Sequence, residues 1–152
     1  MVKTVFNEDL IFLDLEVSSQ DELFNVMNHH LLELGYVNEA YLDALKEREA
    51  TYPTGLAAPV CSVAIPHVDS RYIHKPGIAF VRVAQPIAYK EMVSDNDLEV
   101  KLFFFLLVKN KDEQVQILSK LMGTFADDDF LNQLLQGKTN KEILDILAKG
   151  VA

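Results

Sequence analysis

Hydrophobic and polar positions change their period along the chain, and those changes mark out the elements. Leu10 to Leu15 is dense in apolar residues and fits a first strand. Ser19, with Glu22 three residues later, forms a capping box that opens a helix. Leu23, Val26, Met27, Leu31 and Leu34 then share one helical face, and Gly35 ends it. A second helix is predicted from about Asn38 to Ala50, beyond which Pro53 forbids continuation. Tyr41, Leu45 and Arg48 share its face, so an arginine stands where an apolar residue is expected.

The middle of the chain shortens its period. Val60 to Ile65 and Gly77 to Ala84 read as short strands separated by a polar loop, Val68 to Pro76, and Leu98 to Val108 reads as a longer one. Leu102 to Val108 is apolar at every position, so both faces of that strand need cover, as in the centre of a sheet with helices above and below. Three helices follow, opened by Asp112, by Asp127, and by the capping box of Thr139 with Glu142, the last ending at Gly150. The pattern predicts an α/β sandwich. It leaves the strand order open, and Gly77 to Ala84 fits either direction beside the long strand.

At 152 residues with no repeat or linker, the expectation is a single domain over residues 1–152. Hydrophobic residues make up 49% against 24% charged, enough to bury a core. The net charge of −9, with lysines and arginines scattered, argues against nucleic acid and anionic membrane surfaces as partners. The apolar run Leu102 to Val108 is too short to cross a bilayer. Asn7, Glu8 and Asp9 interrupt the apolar start, which does not resemble a secretory signal. One cysteine, Cys61, excludes an internal disulfide and any cysteine-cluster metal site, so the expected address is cytoplasmic, with no cofactor and no metal.

Within this frame Val63-Ala64-Ile65-Pro66-His67 is the segment richest in chemistry: a strand stops at a proline and a histidine stands just beyond it. Side chains at strand ends of α/β folds point toward the crevice that holds ligands, and imidazole is nucleophilic and largely neutral near pH 7. A loop histidine without a role fits the same residues. Arg48 and the turn Tyr52-Pro53-Thr54-Gly55 supply a guanidinium, a hydroxyl and backbone N–H groups that suit an oxyanion on His67. A dipole-favoured helix-end arginine and an ordinary turn account for them equally. Gln114, in the first turn after the long strand, is a further anion donor, or a plain exposed glutamine.

The other candidates carry less. His29 and His30 point to different helix faces, with His30 half-buried; His74 fits an exposed loop; Cys61 fits a small core residue. Asp127-Asp128-Asp129 reads as one cap plus two first-turn charges, and Asp95 and Asp97 as loop residues.

Leu45-Lys46-Glu47-Arg48-Glu49, Tyr52-Pro53-Thr54-Gly55 and Ala64-Ile65-Pro66-His67, in that order, resemble a IIA component of the bacterial sugar phosphotransferase system. The likeness is to the fructose/mannitol superfamily, and the Arg-Glu-x-x-Tyr-Pro-Thr-Gly run is most similar to its galactitol-specific branch. The resemblance implies a three-layer α/β sandwich with a mixed, mostly parallel five-stranded sheet. It implies a relay in which HPr phosphorylates His67 at Nε2 and a IIB cysteine takes the phosphoryl group onward, with the membrane component IIC involved indirectly. Arg48 matches the position that contacts the phosphohistidine, and Thr54 is a candidate phosphate hydrogen bond. Where the mannitol branch carries a second histidine, this chain has Gln114. A phosphorylation-dependent regulatory protein, or an anion-binding module, would use the same residues.

Overall fold

The computed structural model describes residues 6–94 and 96–151. The expectations about Asp95 and about the first five residues therefore lie outside the described residues. In chain order the elements are β1 (Ile11–Leu15), α1 (Gln20–Glu33), α2 (Tyr41–Thr51), β2 (Gly55–Leu56), β3 (Ser62–Ala64), β4 (Gly77–Lys90), β5 (Asp97–Leu107), α3 (Lys111–Thr124), α4 (Asp128–Gln136) and α5 (Asn140–Gly150). The five strands form one sheet in the order β1-β4-β5-β3-β2. It is a mixed sheet: β1 runs parallel to β4 and β3 parallel to β5, while β4 with β5 and β2 with β3 are antiparallel.

The centre of the sheet is where the sequence pattern places it. Leu102 through Val108 are all buried. Phe103, Phe105 and Leu107 face the core shared with α1 and α2, whereas Leu102, Phe104 and Leu106 face the core shared with α3, α4 and α5. Strand pleat thus divides one continuous apolar run between two helical layers, which makes the three-layer sandwich.

Helix ends follow local chemistry. The Ser19 hydroxyl accepts the Glu22 amide, and the Glu22 carboxylate reaches back to the Ser18 amide, one residue earlier than a standard capping box. Gly35 takes φ +80° after α1, a left-handed conformation that costs glycine little. The Thr139 hydroxyl caps α5 and Asp127 caps α4, as the pattern predicts. Helix α3 starts earlier than expected: Asn110, not Asp112, is its cap, and its side chain accepts from the Glu113 amide.

Two strand readings need correction. β4 runs on past Ala84 to Lys90. The register shifts between Arg82 and Ile87, so Pro86, which has no N–H to donate, is accommodated outside the ladder and Ile87 and Tyr89 turn inward again. Asp97, read as loop, is the first residue of β5 and pairs with Lys90 at 2.6 Å. The two-residue β2 went unpredicted because its partner lies in space. A Cβ on Gly55 would sit 2.5 Å from the Lys90 carbonyl oxygen, so only glycine allows β2 that close.

Candidate active site

His67 lies where β3 gives out. Pro66 cannot donate to the ladder, yet its carbonyl still accepts from Leu106, and His67 bridges Leu106 in parallel register. The ring is held from below: Nδ1 lies 2.7 Å from the Ile65 carbonyl oxygen. A carbonyl only accepts, so Nδ1 carries the proton and Nε2 carries the lone pair. The Arg48 Nη2 lies 3.3 Å from that Nε2 and donates to it. Burial, and then the Arg48 charge, hold the imidazole below its ordinary pKa against the opposing pull of the Ile65 carbonyl, so the ring is neutral at pH 7.

Arg48 is itself fixed. Its Nη1 donates to the Tyr52 carbonyl at 2.9 Å, and its guanidinium carbon lies 5.0 Å from the centre of the Tyr52 ring. The expected face of α2 needs refinement. The buried stripe is Tyr41, Leu45 and Glu49, while Arg48 sits beside it, half-buried, with its head reaching the site. The sequence therefore places an acid, not the arginine, at the apolar position.

Arg48, His67 and Gln114 line one open cavity of about 370 Å³, together with Val68, Asp69, Lys111, Val115 and Leu118. Gln114 enters from the first turn of α3. His67 is 7% exposed, so the ring is packed on most sides and meets this cavity through a narrow face. Thr54 is not brought there. Its hydroxyl is buried, donates to Glu49 Oε1 at 2.8 Å, and lies 3.4 Å from the Tyr89 hydroxyl. Its amide donates to Glu49 Oε2 at 2.5 Å. Burial pushes the Glu49 carboxyl up, while hydrogen bonds from Tyr89 and Thr54 pull it down.

The remaining candidates stay apart from the cavity. His29 pairs with Glu33 at 3.2 Å on the surface; His30 stacks on Phe12; His74 is exposed. Cys61 is half-buried at the edge of the core and not inside it, and burial raises its thiol pKa. Among the described residues no three histidine, cysteine or acidic side chains converge as metal ligands would, and no helix is long and apolar enough to cross a membrane. Glu49, Tyr89 and Lys111 escaped the sequence reading. For Glu49 the signal was present, since it follows Tyr41 and Leu45 at intervals of four residues.

The α/β sandwich thus presents a neutral, oriented imidazole to a guanidinium at the edge of an open cavity. Residues 4–150 match the family described as "Phosphoenolpyruvate-dependent sugar phosphotransferase system, EIIA 2", and the chain belongs to that family of phosphotransferase components. A mannitol-specific EIICBA component of the phosphotransferase system from Vibrio cholerae is 32% identical over 145 residues, covering 93% of this chain. The match spans 21% of that longer protein. The galactitol-specific EIIA component of Escherichia coli is 28% identical over 116 residues, or 76% of this chain and 77% of that one. The nitrogen regulatory protein IIA-Ntr of Neisseria meningitidis superimposes with a TM-score of 0.74 at 25% identity over 96% of this chain and 98% of that one. IIA mannitol of Escherichia coli, at 23% identity and TM-score 0.76 over 93% and 97%, shares the fold.

Proposed function

We propose that this chain is a single-domain, cytoplasmic IIA phosphocarrier, with His67 as the phosphoryl acceptor and HPr as donor. The observation that carries the proposal is the fixed tautomer: Nδ1–H is committed to the Ile65 carbonyl, which leaves a lone pair on Nε2 beside a guanidinium. In the forward step that lone pair attacks the phosphorus of phospho-HPr in line. The new N–P bond forms as the bond to the HPr imidazole breaks, and the departing imidazole keeps the electron pair. Arg48 Nη2, which donates to Nε2 in the free protein, then donates to a phosphoryl oxygen, and Gln114 supplies an amide donor from across the cavity. A IIB cysteine thiolate next attacks phosphorus, the N–P bond breaks, and neutral His67 is restored for another cycle. IIC, the membrane partner, is engaged only indirectly, since the phosphoryl group passes from IIB to the sugar.

Protein partners suit this surface. Val115 in the cavity wall is 66% exposed and Tyr52 beside Arg48 is 65% exposed, apolar groups flanking the histidine on a chain of net charge −9. That combination favours docking faces that are apolar at the centre and positively charged around it. Likeness to the Escherichia coli galactitol-specific component supports a polyol, galactitol in particular, as the sugar phosphorylated at the end of the relay. Likeness to the Neisseria regulatory IIA-Ntr supports a second reading, in which phospho-His67 controls binding to other proteins.

The reconstituted relay tests both readings. With phosphoenolpyruvate, enzyme I and HPr, the chain is expected to take one acid-labile phosphoryl group, mapped to His67 and absent in His67→Ala. Label on His67→Ala would refute the assignment, and bound phosphate without a covalent adduct would favour an anion-binding module. Chase onto a galactitol IIB cysteine favours transport; a label that no sugar-linked IIB accepts favours regulation.

A further inference from the structure

Glu49 takes no part in the chemistry described so far, yet it is 3% exposed and both its oxygens are engaged by one residue, Thr54. A buried carboxylate costs folding free energy unless it is fully hydrogen-bonded, so its retention at this spot calls for a reason. Its contacts supply one. By clasping the amide and hydroxyl of Thr54, Glu49 closes the turn from the end of α2 back onto itself. That turn carries the Tyr52 carbonyl, which holds Arg48 Nη1 at 2.9 Å. On its other side the Thr54 carbonyl accepts from the Ile65 amide at 3.3 Å, and the Ile65 carbonyl in turn fixes His67 Nδ1 at 2.7 Å. One short chain of hydrogen bonds thus runs from Arg48, through the clasped turn, to His67. Tyr89, buried on β4, closes the back of the cluster 3.4 Å from the Thr54 hydroxyl.

We infer that Glu49, through its two hydrogen bonds to Thr54, is a positioning residue that sets the guanidinium of Arg48 against Nε2 of His67. Thr54 is then part of the support for the site and not a ligand of the phosphoryl group. The inference rests on the phosphocarrier reading, because the quantity it controls is the alignment of Arg48 with the group on His67. Displacement of such a group by about an ångström can cost a factor on the order of a hundred in rate.

The test is rapid-quench transfer from phospho-HPr to the full chain over a range of donor concentrations, with thermal melts recorded in parallel. Thr54→Val keeps the shape but removes the hydroxyl donor, and Glu49→Gln removes the charge that strengthens both bonds. Both are expected to lower the maximal transfer rate, Thr54→Val by about tenfold to a hundredfold, with little change in the donor concentration at half-maximal rate. Thr54→Ser, which restores the hydroxyl, should recover most of the lost rate. In an Arg48→Ala background, Glu49→Gln should add no further loss, because the group it positions is gone. A Thr54→Val chain that transfers at the wild-type rate overturns the inference. So does a loss confined to donor affinity, or an undiminished loss on top of Arg48→Ala. Should Glu49→Gln fail to fold, the Thr54 series decides alone. Wild-type chain that takes no label on His67 sinks the phosphocarrier reading itself, whereas a labelled wild type with indifferent Thr54 variants sinks only the positioning role.

Discussion

Arg82 offers a perturbation whose size can be worked from contacts remote from the cavity. The side chain is 5% exposed and leaves β4 to cap the end of α4. Its Nη1 donates to the carbonyls of Leu134 at 2.9 Å, Leu135 at 3.3 Å and Gly137 at 2.7 Å. Nε and Nη2 meet the two Asp14 oxygens at 3.1 and 3.2 Å. In Arg82→Met the apolar stem is conserved and these donors vanish. The bonds to Leu134 and Gly137 are buried, and orphaning a buried acceptor costs about 1–3 kcal/mol, so two of them total roughly 2–4 kcal/mol after partial relaxation. Asp14 is 66% exposed, so solvent screens the ion pair and its share is below about 1 kcal/mol. For a chain of this size the sum corresponds to a melting temperature lower by roughly 5–15 °C. Asp14→Asn is the control: φ at Asp14 is +57°, which asparagine tolerates, and the expected loss is below about 1 kcal/mol. Differential scanning calorimetry gives both values. Arg82→Met melting with the wild type, or Asp14→Asn costing as much as Arg82→Met, would refute the reasoning. Below its melting temperature Arg82→Met should still accept phosphoryl groups, since none of these partners lines the cavity.

Four further outcomes are expected. The rate of phosphoryl acceptance by His67 should hold from neutral pH down past about 6.5, the ordinary histidine value, and fall only at lower pH, because burial holds the folded pKa below it; a rate already halved at or above that pH contradicts this. The same depressed pKa makes the unfolded chain the better proton binder just below pH 6.5, so this stability contribution, complete at higher pH, is lost as pH falls toward the folded pKa, and His67→Gln should flatten that slope in denaturant titrations. Tyr41→Phe should leave stability unchanged or raise it by up to about 1 kcal/mol, because the buried Tyr41 hydroxyl has no hydrogen-bond partner among the described residues, and a loss above that size would reveal one. Gly55→Ala should cost about 1–3 kcal/mol in urea unfolding, since the new methyl group meets the Lys90 carbonyl and backbone must move.

What sequence pattern reveals here depends on whether the determining contact is local. Ser19, Asp127 and Thr139 cap their helices through amides three residues away, and all three were legible. The fully apolar run Leu102 to Val108 announced a strand covered on both faces, because strand geometry turns alternate side chains to opposite sides. β2 and the far half of β4 were hidden, as Gly55 and Pro86 read as breakers until a neighbouring strand is in place. At the site, His67 and Arg48 stood out through chemical type and motif, and Gln114 through its place in a helical first turn. Thr54 misled: a hydroxyl in a turn looks free to bind an anion until the buried carboxylate five residues earlier accepts its hydrogen bond. The clue to that carboxylate lies in helical spacing, since Tyr41, Leu45 and Glu49 share one face of α2 and Arg48 stands beside it.

The central claim is that Nε2 of His67 bonds to phosphorus while Nδ1 keeps its proton on the Ile65 carbonyl. Long-range nitrogen–proton NMR of the phosphorylated, nitrogen-15 labelled chain reads this directly. The account predicts phosphorus coupling to His67 Nε2, with Nδ1 still protonated. Coupling to Nδ1, or a phosphoryl group on any other residue of the folded chain, would contradict it.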